Sequence, residues 1–276
     1  MIDVVIELRE ACAGYGRTRL WKELNFSARR GEFIAVLGAN GTGKTTLLKV
    51  LLGLHRLSSG NVQLFGRPPT RGNSRVGYVP QQRSFDSGLP LRGVDLVRMG
   101  LDGHRWGIGR RRAQHPEKIH AALELVGATH YAHAPVGLLS GGEQQRLRIA
   151  QALVGEPEII LADEPLLSLD PHSQRGIVRM LDAHRKNSGA LVIVVTHDIN
   201  PVRSFVDQVL YLAAEGWAVG PASEVITSES LTRLYGIPVE VLEVRGRVVV
   251  VSEYESDLES ALVHPHGPRT DRRQGP

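Results

Sequence analysis

The sequence predicts an α/β fold: a mostly parallel core sheet flanked by helices, an antiparallel β subdomain beside it, and a helical subdomain at about residues 84–155. Three observations carry this expectation. Residues 33–37 (FIAVL) are a short continuous apolar run, the pattern of a strand covered on both faces. Two further runs, 159–162 (IILA) and 191–195 (LVIVV), share that character, and helix-like stretches alternate with them, as a parallel sheet requires. The chain has 276 residues, 42% hydrophobic and 22% charged, which is the composition of a folded globular protein with one or two domains.

Taken in order, residues 4–8, 24–27 and 60–65 read as short, half-exposed strands separated by turns, which an antiparallel sheet accommodates. Glycines in 38–43 break the run at 33–37, and residues 44–54 follow with Leu47, Leu48, Leu51, Leu52 and Leu54 at the spacing of a buried helix. The segment 84–134 carries few strand signals and two helix-like stretches, at 93–99 and 116–126. A third helix-like stretch, 143–154, leads into the run at 159–162. Residues 239–252 (VEVLEVRGRVVVVS) read as a hairpin turning at Arg245 and Gly246. The stretch 264–276 is rich in Pro, Gly, Arg and His and nearly devoid of apolar residues, so it is expected to be disordered.

Several function classes are excluded early. No run reaches the roughly 18 apolar residues of a bilayer-spanning helix. Acidic residues Asp3, Glu7 and Glu10 precede any long apolar run, against the order of a signal peptide, so export is not expected. Cys12 is the sole cysteine, which rules out an internal disulfide and a multi-cysteine zinc site and suits a reducing cytoplasm. The 33 basic residues exceed the 29 acidic ones by only four and are spread along the chain, so a nucleic-acid partner is not expected.

The chemistry begins at Gly38-Ala39-Asn40-Gly41-Thr42-Gly43-Lys44-Thr45, which has the spacing of a phosphate-binding loop and lies between a buried strand and a buried helix. Glycines let backbone N–H groups turn toward an anion, and the helix N-terminus adds its dipole. Lys44 is expected on the β- and γ-phosphates of a nucleotide and the Thr45 hydroxyl on Mg²⁺. Thr46 either adds a hydroxyl to the α-phosphate or caps the helix. Asp163, at the end of the run 159–162, is the expected second magnesium ligand, and Glu164 the general base. Alternation along a strand is expected to point the two carboxylates differently.

Ser140-Gly141-Gly142, within Leu139 to Arg146 (LSGGEQQR), opens another helix and forms a second anion site. One nucleotide does not need two helix N-termini from one subunit. Two subunits, each closing this helix over the other's nucleotide, resolve the excess.

Over residues 2–235 these ordered motifs resemble the ATP-binding cassette (ABC) ATPase subunits of transporters, which implies the P-loop NTPase ABC-cassette fold, ATP hydrolysis, and ATP with Mg²⁺ as ligands. The resemblance further implies that Tyr15 (in AGYG) stacks on adenine and that Gln81 (in GYVPQ) links Mg²⁺ and the lytic water to the membrane partner. Gln82 is a possible one-residue slip of that loop. Asp170, in Ser168-Leu169-Asp170, resembles the acid that crosses the dimer interface, and His197, in Thr196-His197-Asp198, the switch histidine on the γ-phosphate. Leu166-Leu167 depart from the commoner small or Thr residues after Glu164-Pro165, a change that touches no catalytic atom. The implied partners are a second copy in the ATP-bound state, integral membrane permease subunits that dock near residues 81–103, and an extracytoplasmic solute-binding protein. The implied location is the cytoplasmic face of the membrane.

Within the family, Tyr78 to Arg83 (YVPQQR), Phe85-Asp86, Leu89-Pro90, Val94 to Gly100 (VDLVRMG) and Leu234 to Val239 (LYGIPV) are similar to importers of zinc, manganese or other divalent metals. Siderophore or cobalamin import and small-molecule export are the alternatives. A repair-type ATPase would need a long coiled coil between the phosphate loop and Ser140, where only about 95 residues without sustained heptads stand. Residues 236–262 are an appendage carrying the hairpin, and 263–276 its tail. His264 and His266 lack ligand-spaced partners, and Arg110-Arg111-Arg112 with Lys118 read as a solvated face.

Overall fold

The computed structural model describes residues 3–81, 85–86, 88–102 and 115–252. Strands β1 (Val4–Tyr15), β2 (Thr18–Arg29) and β3 (Phe33–Leu37) come first, then α1 (Lys44–Leu51), β4 (Ser59–Leu64) and β5 (Val76–Val79). Helices α2 (Gly93–Asp102), α3 (Pro116–Leu125) and α4 (Gly141–Leu153) follow, with single 3-10 turns at Thr129–Tyr131 and Val136–Leu138. The chain continues through β6 (Ile159–Asp163), α5 (Pro171–Ser188), β7 (Leu191–Val195), β8 (Gln208–Ala213) and β9 (Gly216–Gly220). It then forms α6 (Ala222–Val225), α7 (Ser228–Tyr235) and the hairpin of β10 (Val239–Val244) and β11 (Arg247–Ser252).

The core sheet has the order β5-β6-β7-β3-β8-β9; its first five strands are parallel and β9 runs antiparallel to β8. Every residue of β3, β6 and β7 is buried, as strands covered on both faces require. Alternation divides them between two apolar clusters. Phe33, Ala35 and Leu37 pack with residues of α2 to α5, while Ile34 and Val36 pack with β1, β2 and α1. The carboxyl ends of β3 and β6 therefore open side by side with β7 between them, where ligands bind in open α/β sheets.

The antiparallel sheet, β2-β1-β4, departs from the expected short strands. β1 and β2 run twelve residues each, with register shifts between Leu8 and Ala11 and again before Ala13. Glu10 (φ 47) and Glu23 (φ 49) sit at the irregularities in left-handed conformations. Asn25 joins both: its Oδ1 accepts from Glu10 N at 2.9 Å and its Nδ2 donates to Glu23 O at 2.9 Å. The helix expected over 44–54 stops at Leu51, and the chain turns at Gly53 (φ 69). No helix among the described residues is long and apolar enough to cross a membrane. Gln82, Arg110 to Arg112, His264, His266 and the tail lie outside the described residues. Lys118 is paired with Glu156 at 3.3 Å.

Candidate functional site

At the end of β3 the chain enters the loop 38–43 and leaves it as α1. Gly41 (φ 84) and Gly43 (φ 98) both take the left-handed region that glycine alone enters without cost. Gly43 is the N-cap of α1 and lies against Trp21: a Cβ there would stand 2.8 Å from the indole Nε1. Lys44 points back along the loop, its Nζ donating to Gly38 O at 2.6 Å and Ala39 O at 2.9 Å. The Thr42 hydroxyl also donates to Ala39 O, at 2.9 Å. Burial holds the Lys44 ammonium below its usual range, and the charges of Glu164 and Asp163 pull it back up.

The acidic half comes from β6. Asp163 is buried, and its Oδ1 accepts from the Thr45 hydroxyl at 3.3 Å, joining two residues 118 positions apart. Burial pushes its carboxyl up, the Glu164 charge adds to this, and the Thr45 hydrogen bond works against it. Glu164 follows in a left-handed conformation (φ 48), its N–H donating to Val195 O at 3.0 Å. It lies beyond β6, so this backbone turn, not strand alternation, sets its direction, and both carboxylates line the same cleft. Glu164 Oε2 is 3.0 Å from Nδ1 of His197, which follows the end of β7.

The cleft has a volume of about 380 Å³ and is lined by Tyr15, Asn40, Gly41, Gly43, Lys44, Thr45, Thr46, Gln81, Asp163 and Glu164 together with Leu20 and Val195. Tyr15 is half exposed at one side, its hydroxyl 3.5 Å from Thr46 Oγ1 and its ring 4.6 Å from that of His55. Gln81 is exposed at the rim after β5. The reading of the sequence missed Leu20, Val195 and His55. The first two were legible as the apolar positions of TRLW and LVIVV, whereas nothing around His55 marks it.

Ser140, Gly141, Gly142 and Asp170 do not line this cleft. Ser140 caps α4 with a capping box: its Oγ accepts from Glu143 N at 3.4 Å and its N–H donates to Glu143 Oε2 at 2.8 Å, while its Oγ also donates to that Oε2 at 2.7 Å, and these bonds draw the Glu143 carboxyl down. Asp170 caps α5, accepting from His172 N at 2.9 Å and Ser173 N at 3.0 Å. The two helix starts are neighbours, for a Cβ on Gly142 would lie 3.7 Å from Ser173 Oγ. The chain thus carries a nucleotide-sized cleft and, apart from it, a second helix N-terminus.

The chain is similar to known proteins. The sequence pattern of the ABC transporter family matches residues 21–167. The chain is 35% identical over 231 residues to the manganese transport system ATP-binding protein MntB of Bacillus subtilis, spanning 84% of this chain and 92% of that protein. It is 36% identical over 217 residues to the zinc transport system ATP-binding protein TroB of Treponema pallidum, spanning 79% and 81%. A solved chain of an ABC transporter in an inward-facing conformation, described as metal-chelate type, superposes with a TM-score of 0.76 at 28% identity, over 92% of this chain and 99% of that one. Cleft and likeness agree, and the chain belongs to the ABC transporter family as an ATP-binding subunit that hydrolyses ATP.

Proposed function

We propose that this ATPase energises the import of a divalent metal ion of the manganese or zinc class. The observation that carries the catalytic part is the cleft in which Lys44, Thr45, Asp163 and Glu164 converge between the ends of β3 and β6. The likeness to manganese and zinc transport subunits supports the cargo.

In this reading the 38–43 loop and Lys44 hold the ATP phosphates, Lys44 exchanging its two carbonyl contacts for phosphate oxygens, and Tyr15 stacks on the base. Magnesium fits the donors present: Thr45 Oγ1 and Asp163 Oδ1 are hard oxygens already within 3.3 Å of each other, and the Gln81 side chain at the rim supplies a third. When bound, the ion neutralises phosphate charge. Glu164 takes a proton from water as the water oxygen bonds to the γ-phosphorus and the bond to the β-phosphate oxygen breaks, leaving ADP and phosphate. His197, next to Glu164, meets the γ-phosphate. Ser140, Gly141, Gly142 and Asp170 serve the nucleotide of a second copy across an ATP-bound homodimer.

The chain docks on permease subunits at the cytoplasmic membrane face, and an extracytoplasmic binding protein delivers the metal. A groove of about 660 Å³ supports the docking: it is lined by Tyr78, Pro80, Met99 and Leu101 next to Gln81, and Met99 is half exposed. No nucleic acid takes part.

The test is radiolabelled metal uptake in cells that lack the chain and regain it as wild type or as Glu164→Gln. Manganese or zinc uptake restored by the wild type alone is expected. Uptake unaffected by the deletion, with a chelate or an organic solute affected instead, overturns the cargo.

A further inference from the structure

The loop bearing His197 is tied to a part of the chain distant in sequence. Within the loop, Thr196 Oγ1 donates to Asp198 O at 3.1 Å, and Asp198 Oδ1 accepts from Asn200 N and Nδ2, each at 2.8 Å. Asn200 then reaches the C-terminal hairpin. Its Nδ2 donates to Val248 O at 2.9 Å, and Val248 N donates to its Oδ1 at 2.8 Å, the pair of bonds a neighbouring strand would make.

Hairpin geometry explains why Val248 is available. Arg245 (φ 51) and Gly246 (φ 77) form the two-residue turn, and Val244 and Arg247 close it. The next pair, Glu243 and Val248, is then the non-hydrogen-bonded pair, whose backbone groups face away from the partner strand. Arg203 Nη2 and Glu243 Oε2, 3.0 Å apart, join the same two segments. The far side of the hairpin is fixed on α7, where Ser228 Oγ accepts from Val241 N at 2.9 Å and Thr232 Oγ1 accepts from Val239 N at 3.0 Å. A cavity of about 490 Å³, lined by Gly38, His197, Tyr211, Val248 and Val250 among others, leaves the loop room to shift once untied. The His197 side chain is 58% exposed, so packing does not hold it.

We propose that Asn200 is a positioning residue for hydrolysis and that the β10–β11 hairpin is its brace: the two bonds to Val248 hold the 197–200 backbone so that His197 stays against Glu164. The proposal rests on the assignment of His197 to the γ-phosphate.

The experiment measures steady-state ATP hydrolysis by the full chain and its Asn200→Ala, Val248→Pro, double and His197→Ala variants. Proline is admissible in an edge strand and removes the Val248 N–H, together with the valine side chain that packs against the core. With Asn200→Ala, kcat is expected to fall about tenfold, because a small misplacement of a reacting group is costly. KM and the affinity for a fluorescent ADP analogue are expected to stay within about twofold. Val248→Pro lowers kcat in the same way, and the double variant falls no further than the worse single, because both cut one tie. A parental kcat in Asn200→Ala, a loss confined to KM, or single effects that multiply in the double variant overturns the brace. A parental rate in His197→Ala instead overturns the assignment of His197. Should Asn200→Ala not fold, the charge swap decides: Arg203→Glu lowers kcat and Glu243→Arg added to it restores the rate, whereas no change in Arg203→Glu overturns the proposal.

Discussion

Replacing Gly43 by alanine loads the phosphate loop in two ways that can be separated. The backbone sits at φ 98, ψ 14, and a Cβ-bearing residue held there carries a strain of about 1–3 kcal/mol. The added methyl would also stand 2.8 and 2.9 Å from Nε1 and Cδ1 of Trp21 and 3.0 Å from Leu20 Cβ. Trp21 is only 3% exposed, so its ring cannot swing aside, and the loop must open instead. Gly41→Ala supplies the control: its φ is 84, and its added Cβ would meet nothing within 4 Å. The Gly41 variant therefore carries strain alone, and the Gly43 variant carries strain plus displacement of the N–H groups and Lys44. Thermal unfolding is expected to drop by about 2–12 °C for Gly41→Ala, from about 1–3 kcal/mol at 2–4 °C for each kcal/mol, and further for Gly43→Ala. In nucleotide titration, Gly43→Ala weakens ATP binding at least about 100-fold, or 2.7 kcal/mol, and Gly41→Ala by much less. Equal losses in the two variants would refute the role given to Trp21.

Two other perturbations address the frame. Arg185 is nearly buried and bonds Asp182 Oδ1 at 2.7 Å, Gly31 O at 2.7 Å and Asp207 Oδ2 at 2.6 Å, and Asp207 Oδ2 in turn accepts from Phe33 N at the start of β3. Arg185→Met is expected to cost about 2 kcal/mol in urea unfolding, since it removes one of the two cations on the buried Asp182 carboxylate, which keeps Lys186 at 2.8 Å, and a loss below about 1 kcal/mol contradicts this. Glu158 is drawn down to about 2 by hydrogen bonding to Arg75 and then Arg30, against its partial burial. A depressed carboxylate contributes stability that is complete above its unfolded value near 4.5 and is lost as pH falls toward 2. Glu158→Gln should flatten the acid limb of stability between those values, and an unchanged slope there would show that the ion pair does not stabilise the fold.

How much could be read in advance differs by element. β3, β6 and β7 are covered on both faces, so their apolar runs stand out without any knowledge of their neighbours. β1 and β2 do not, because bulges at Glu10 and Glu23 shift the alternation halfway, and a period-of-two reading sees two fragments where one strand continues. The reading of the sequence does not include β8 (QVLYLA), despite its apolar run, or α5, despite an Asp N-cap before Pro171 and the closing Gly189 at φ 69. At the site, the phosphate loop is legible from its spacing between a buried strand and a buried helix, and Asp163 from its place at the end of the apolar run 159–162. The direction of Glu164 follows from a left-handed backbone that no residue type announces. The tie between Asn200 and Val248 spans 48 residues and depends on hairpin register, which local patterns do not encode.

In the proposed cycle Glu164 drives hydrolysis in a cleft whose nucleotide is closed over by a second copy. Glu164→Gln keeps the size of the side chain and an oxygen or nitrogen facing His197, while removing the carboxylate that accepts the proton. The decisive measurement is ATP turnover by the purified variant, paired with light scattering on a sizing column with ATP and Mg²⁺. A fall in kcat of about 10²–10⁴-fold is expected, with ATP binding retained and an ATP-dependent dimer accumulating. Hydrolysis at the parental rate, or a variant that binds ATP yet stays a monomer, would contradict it.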